Sequence, residues 1–91
     1  MIVRKFEHLP VEAKNVLLQI KSDVAFAHKK DGSIYRNREG KLSKRSPNYY
    51  REYTVPTPEM TTRGSRRLVI GNAGEIYYTD DYYLTLQKII E

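Results

Sequence analysis

Residues 48–71 read NYYREYTVPTPEMTTRGSRRLVIG, and the rest of the chain is organised around them. Tyr49 to Val55 carry the aromatic and β-branched content of a strand, and Pro56 and Pro58, which cannot donate to a ladder, end it. Arg66 to Gly71 read as the next strand after a turn-rich loop. With a side-chain period of two, Tyr50, Glu52 and Thr54 share one face of the first strand. On the second, Arg67 and Val69 oppose Arg66, Leu68 and Ile70. If a helix covers the Leu68 and Ile70 face, Arg67 emerges on the other face, where Glu52 can meet it. One carboxylate leading into Arg63, Arg66 and Arg67 is costly unless these groups share a cleft facing an anion, and that is the layout of a phosphodiester site.

Working outward, Pro10 suits a first helical position, Glu12 lies in the first turn where the helix dipole favours an anion, and Lys21 closes the far end. Ala13, Val16, Leu17 and Ile20 fall at helical spacing, so one amphipathic helix is predicted with its apolar stripe toward a sheet. Residues 1–9 read as a lead-in. Residues 22–32 show no clear period, with a turn at Asp31-Gly32. Ile34-Tyr35 suggest a short strand, and Asn37-Arg38-Glu39-Gly40 a tight loop in which Gly40 supplies backbone freedom. Lys41 to Asn48 form a surface connection. Beyond Gly71, a turn at 72–74, a strand from Glu75 to Thr79, a turn at Asp80-Asp81 and a closing strand from Tyr83 to Ile90 complete a hairpin-linked series. One helix and about four strands give an α+β fold, a single N-terminal helix on a small antiparallel sheet.

Ninety-one residues suffice for one small core, so a single domain over 1–91 is expected. No cysteine is present, which excludes disulfides and thiolate metal sites, and the two histidines, His8 and His28, stand far apart. Neither metal nor cofactor is expected. No apolar run approaches the roughly 20 residues of a membrane span, and no signal peptide is legible, so any export signal lies outside the chain. The net charge of +5 is uneven: residues 29–67 hold eleven Lys and Arg against four acids, a net of +7, and the remainder five against seven, a net of −2. That imbalance suits a polyanion or an acidic protein.

The segments LPVEA, DGSIYRNREGKL, YYREYTVPTP, RGSRRLVIG and YYTDDYYLTLQKI, in this order and spacing, resemble the small guanyl-specific microbial ribonucleases, the bacterial branch that includes barnase and the Streptomyces enzymes. The resemblance spans nearly the whole chain. It implies that family's helix-on-sheet fold and cleavage of single-stranded RNA after guanosine by transesterification, through a 2′,3′-cyclic phosphate.

By resemblance Glu52 holds the position of the general base that takes the ribose 2′-OH proton. Arg63 and Arg67 match the arginines whose planar forks hold the phosphate, and Arg66, out of register, supports the fold or the local field. Glu39 matches the carboxylate that accepts both donors on the guanine N1 and N2 edge, a contact of roughly 1.5–3 kcal/mol. Backbone amides around Arg36, Asn37 and Arg38 supply donors to the base oxygen, and Tyr35 and Tyr83 match the rings that flank the base.

One position departs from the pattern. Where the family has a histidine as general acid, the chain reads Asp81-Tyr82-Tyr83. Tyrosine, with a reference pKa of about 10, is a poor substitute, and a missing acid costs about 10²- to 10⁴-fold in rate. His8 and His28 match no motif position and are expected to be exposed or capping. The expectation is therefore a guanine-preferring endoribonuclease attenuated at Tyr82. The alternative is a non-catalytic RNA- or inhibitor-binding module that retains the cleft. The resemblance further implies a monomeric toxin domain, secreted or delivered into a target cell, whose partners are RNA and an acidic inhibitor of the barstar kind.

Overall fold

A computed structural model describes residues 1–22 and 30–91; His28 and most of the aperiodic stretch before Asp31 lie outside the described residues. The elements are β1 (Ile2–Lys5), a single 3-10 turn (Phe6–His8), α1 (Val11–Ser22), β2 (Ser33–Ile34), β3 (Tyr50–Thr54), β4 (Arg67–Gly71), β5 (Ile76–Thr79) and β6 (Gln87–Ile90). The strands form one sheet in the order β1-β6-β5-β4-β3-β2. Every pairing is antiparallel except β1 with β6.

The helix forms as its spacing predicts. Pro10 sits just before it, its carbonyl accepting from the amides of Ala13 and Lys14. Ala13, Val16 and Leu17 are buried with Leu9 against Val55, Leu68, Ile76, Tyr78 and Ile89, and Ile20 packs at the margin. Burying such side chains stabilises by about 1.5–3 kcal/mol each, and this drives helix onto sheet. The other face of the sheet has its own cluster of Leu42, Tyr50, Val69 and Leu86, edged by Tyr35, Tyr49, Tyr77 and Tyr83.

Two expectations are corrected. Residues 2–5 are no lead-in: Ile2 to Lys5 pair in parallel with Gln87 to Ile90, so β1 forms the sheet edge and β6 lies inside it. The final strand is also shorter than predicted. Tyr82 and Tyr83 take φ of 52° and 71°, in the left-handed region that extended chain cannot adopt. Local bonding overrides the strand pattern here. The Asp81 carboxylate accepts from the Thr85 amide at 3.0 Å and hydroxyl at 2.6 Å, and from the Thr79 hydroxyl at 2.7 Å, folding residues 79–85 into a braced turn.

Candidate active site

Strand register places the central groups. Glu52 stands opposite Val69 and Thr54 opposite Arg67, so Glu52, Thr54 and Arg67 project from the face away from the helix, as the alternation predicts. Arg66 projects to the helix face, where its guanidinium donates to Glu12 at 3.0 Å and to the Pro56 carbonyl. It braces the fold.

Arg63 reaches back from the loop between β3 and β4. Its Nε donates to the Thr54 hydroxyl at 2.9 Å, and its Nη2 lies 3.7 Å from Glu52 and 3.9 Å from Asp31. Nη2 is buried with no hydrogen-bond partner among the described residues. Arg67 is only 3% exposed. Its Nη1 donates to the carbonyls of Gly64 and Arg66 at 3.0 and 2.8 Å and, at 3.4 Å, to that of Arg63, which shapes the loop, while its buried Nε has no hydrogen-bond partner among the described residues. Orphaned buried donors are rare in folded proteins; Arg66 Nε is a third on the helix side, but the nitrogens of Arg63 and Arg67 lie on the Glu52 side of the sheet, where an anion could meet them.

The tyrosines close the other side. Tyr83 donates its hydroxyl to Glu52 Oε2 at 3.1 Å and stacks on Tyr35 with ring centroids 4.9 Å apart. Burial, reinforced by the neighbouring Glu52 charge, pushes the Tyr83 phenol far above its ordinary range, so it remains a donor. Tyr35 is also raised, chiefly by burial and then by Glu39 and Glu52, whose fields reach it together. Tyr82 is 62% exposed, its ring facing Arg67 with the guanidinium carbon 5.3 Å from the centroid. Its amide donates to the Ser65 carbonyl at 3.0 Å, joining the Tyr82 turn to the arginine loop.

The loop at 36–40 is held from within. Asn37, at φ 54°, donates its side-chain amide to the Leu42 carbonyl at 2.9 Å and accepts from the Leu42 amide at 3.0 Å. Among the described residues, the backbone amides of Arg36, Asn37 and Arg38 make no hydrogen bond. Glu39 points into solvent with its carboxylate 3.6 Å from Lys41. The structure therefore brings Glu52, Arg63, Arg67, Tyr82, Tyr83 and Tyr35 together, while the Glu39 side chain stands apart at the rim.

This geometry converges with likeness to known proteins. A family model described as ribonuclease matches residues 5–89. The chain belongs to the ribonuclease family. It is 48% identical over 82 residues to guanyl-specific ribonuclease Sa of Kitasatospora aureofaciens, covering 89% of this chain and 85% of that protein. Guanyl-specific ribonuclease St of Saccharopolyspora erythraea is 43% identical, with 90% of this chain and 81% of that protein covered. Ribonuclease Sa2, solved in complexes with mononucleotides, superposes with a TM-score of 0.97 at 36% identity, over 100% of this chain and 95% of that one.

Two contributors to this ribonuclease site escape sequence reasoning. Asp31 reads as a turn residue, yet its carboxylate accepts from the Thr54 amide at 2.6 Å and faces Arg63. Thr54 reads only as sharing the Glu52 face of the strand, yet it holds the Arg63 Nε. The only signal is register: with Ser33 opposite Glu52, a two-residue step sets Asp31 beside Thr54.

Proposed function

We propose that the chain is a guanine-preferring endoribonuclease acting on single-stranded RNA, attenuated by a tyrosine in the place of its general acid. Glu52 takes the proton of the ribose 2′-OH, the 2′ oxygen attacks phosphorus, and the bond to the 5′ oxygen of the next nucleotide breaks, leaving a 2′,3′-cyclic phosphate that water opens later. The charge growing on the non-bridging oxygens is met by Arg63 and Arg67. The departing oxygen needs a proton, for which the Tyr82 hydroxyl and water are the available donors. Guanine is read by the free amides at 36–38 and by Glu39, beside Tyr35 and Tyr83.

The observation that carries this reading is the ion pair of Glu52 with Arg63, whose buried Nη2 has no hydrogen-bond partner among the described residues, on the sheet face that Arg67 shares. Product analysis tests it. Prolonged incubation with a guanosine-containing dinucleotide should yield guanosine 2′,3′-cyclic phosphate, and Glu52→Gln should lower the yield about 10²-fold or more. Cleavage unchanged in that variant contradicts it.

A second reading, a module that binds RNA or an inhibitor without turnover, is favoured by Tyr82 alone, an exposed ring facing Arg67 where an acid is wanted. Under the enzymatic reading the domain suits a monomeric toxin, secreted or delivered to target-cell cytoplasm, because an active ribonuclease harms the cell that makes it. An acidic inhibitor protein is its matching partner. Such a complex should weaken with salt and with loss of Arg63 or Arg67.

A further inference from the structure

The loop assigned to the base itself forms one wall of a cleft of about 590 Å³, through Tyr35, Arg36, Asn37 and Arg38, and Lys44 and Arg45 line it from the next loop. Among the described residues no carboxylate lines it. Among the described residues none of these four cations enters an ion pair or donates a side-chain hydrogen bond; Glu39, the acid of the adjoining loop, faces Lys41 instead. Four like charges around one concavity repel each other and raise its affinity for an anion.

The walls are braced. Tyr50 donates its hydroxyl to the Ser43 carbonyl at 2.7 Å, tying β3 to the segment that carries Lys44 and Arg45. Arg45 lies over the Tyr49 ring, 5.2 Å from its centroid, and the Tyr49 hydroxyl is fixed on Glu75 at 2.6 Å.

Position along β3 decides which anion fits. Thr54, Glu52 and Tyr50 share one face, with Arg63 and Arg67 at the Thr54 end and the cleft at the Tyr50 end, roughly 7 Å beyond Glu52 at the usual rise of a strand. An RNA strand whose scissile phosphate sits at Glu52 and whose leaving nucleotide lies toward Arg67 and Tyr82 directs its other end toward Tyr50. We propose that this cleft is a subsite for the phosphate on the 5′ side of the guanosine. The inference rests on the proposed ribonuclease reading and deepens it, because it assigns a strand polarity to the surface and a preference for RNA that continues upstream of the cleaved nucleotide.

Calorimetric titration with 2′-deoxy dinucleotides, which lack the attacking hydroxyl, tests this without turnover. The ligands are deoxyguanosine-uridine with and without a 5′-phosphate, and the 5′-phosphorylated deoxyadenosine-uridine. The 5′-phosphate should tighten binding by about tenfold at low salt and steepen the salt dependence by about 0.7 in the log–log slope. Lys44→Ala/Arg45→Ala, both exposed positions, should lose that increment while binding the unphosphorylated ligand as before. Lys5→Ala/Lys14→Ala, which removes equal charge elsewhere, should keep it. A 5′-phosphate that adds nothing, an increment that survives in the cleft variant, or one lost equally in the distant variant overturns the subsite. Should the adenine and guanine ligands bind alike while the increment persists and maps to the cleft, the base reading fails and the subsite stands.

Discussion

The hydroxyl of Tyr83 donates to Oε2 of Glu52 at 3.1 Å, across 31 residues of sequence and from a backbone held at φ 71°. A non-glycine residue in that region costs about 1–3 kcal/mol, and Tyr82 before it adds a second such position. The fold sustains both because the Tyr83 amide donates to the Thr79 hydroxyl at 3.1 Å and that hydroxyl donates to Asp81. Strain in the turn and orientation of the carboxylate are thus one arrangement.

Tyr83→Phe should lower kcat/KM on a guanosine dinucleotide by about tenfold, the worth of one hydrogen bond to a charged group. It should also change alkaline stability. The folded phenol is raised above its ordinary 10.0, so its contribution is full below pH 10 and is lost as pH climbs beyond it. Thermal melts between pH 9 and 12 check this: the variant should lose less stability over that span than the parent.

Asp81 contributes on the acid side, as does Glu75, whose carboxyl burial raises but the Tyr49 hydroxyl and backbone amides lower on balance. Hydrogen bonds from the Thr85 hydroxyl, then from its amide and the Thr79 hydroxyl, hold the Asp81 carboxyl at about 2 against an ordinary 3.8. A depressed folded value means that the stabilisation is present above pH 3.8 and disappears as pH falls through 2. Asp81→Asn should flatten the melting temperature between pH 4 and 2 and increase hydrogen exchange at Tyr82 and Tyr83; an unaltered acid profile contradicts the assignment.

Arg66 belongs to the fold. Its pair with Glu12 is half-buried, with side chains 15% and 26% exposed, and a cycle of Glu12→Gln and Arg66→Met should show a coupling of about 1 kcal/mol by chemical denaturation. Relative activity should hold in Glu12→Gln, since neither side chain reaches the face carrying Glu52.

Glu39 is the test of base reading. Glu39→Gln should reduce the ratio of guanosine to adenosine dinucleotide binding by roughly 10- to 100-fold, because an amide cannot accept both donors of the guanine edge. An unchanged ratio removes Glu39 from the site.

Much of the fold was legible because it is periodic. Ala13, Val16, Leu17 and Ile20 mark the buried helix face, and alternation in β3 and β4 separates Arg67 from Arg66 correctly. β1 was not legible: Ile2 to Lys5 are mostly exposed, and their partner lies more than eighty residues away, a pairing no local pattern encodes. The start of β6 was misread because Tyr82 and Tyr83 have strand composition, whereas the hydrogen bonds to Asp81 that bend the chain depend on where Thr79 and Thr85 arrive. In the site, Glu52 stands out as the lone carboxylate of its strand and Arg63, Arg66 and Arg67 as a cluster after it, while their roles come from resemblance. Asp31 gave no sign, since a carboxylate before glycine looks the same whether buried or solvated.

Tyr82→His tests most directly the proposal of a site that lacks only its proton donor. Initial rates of cyclic-phosphate formation from a guanosine dinucleotide should rise by about 10²- to 10⁴-fold, with a bell-shaped pH dependence that needs both Glu52 and the new imidazole. A properly folded variant that binds the dinucleotide and cleaves it no faster than the parent would contradict the account.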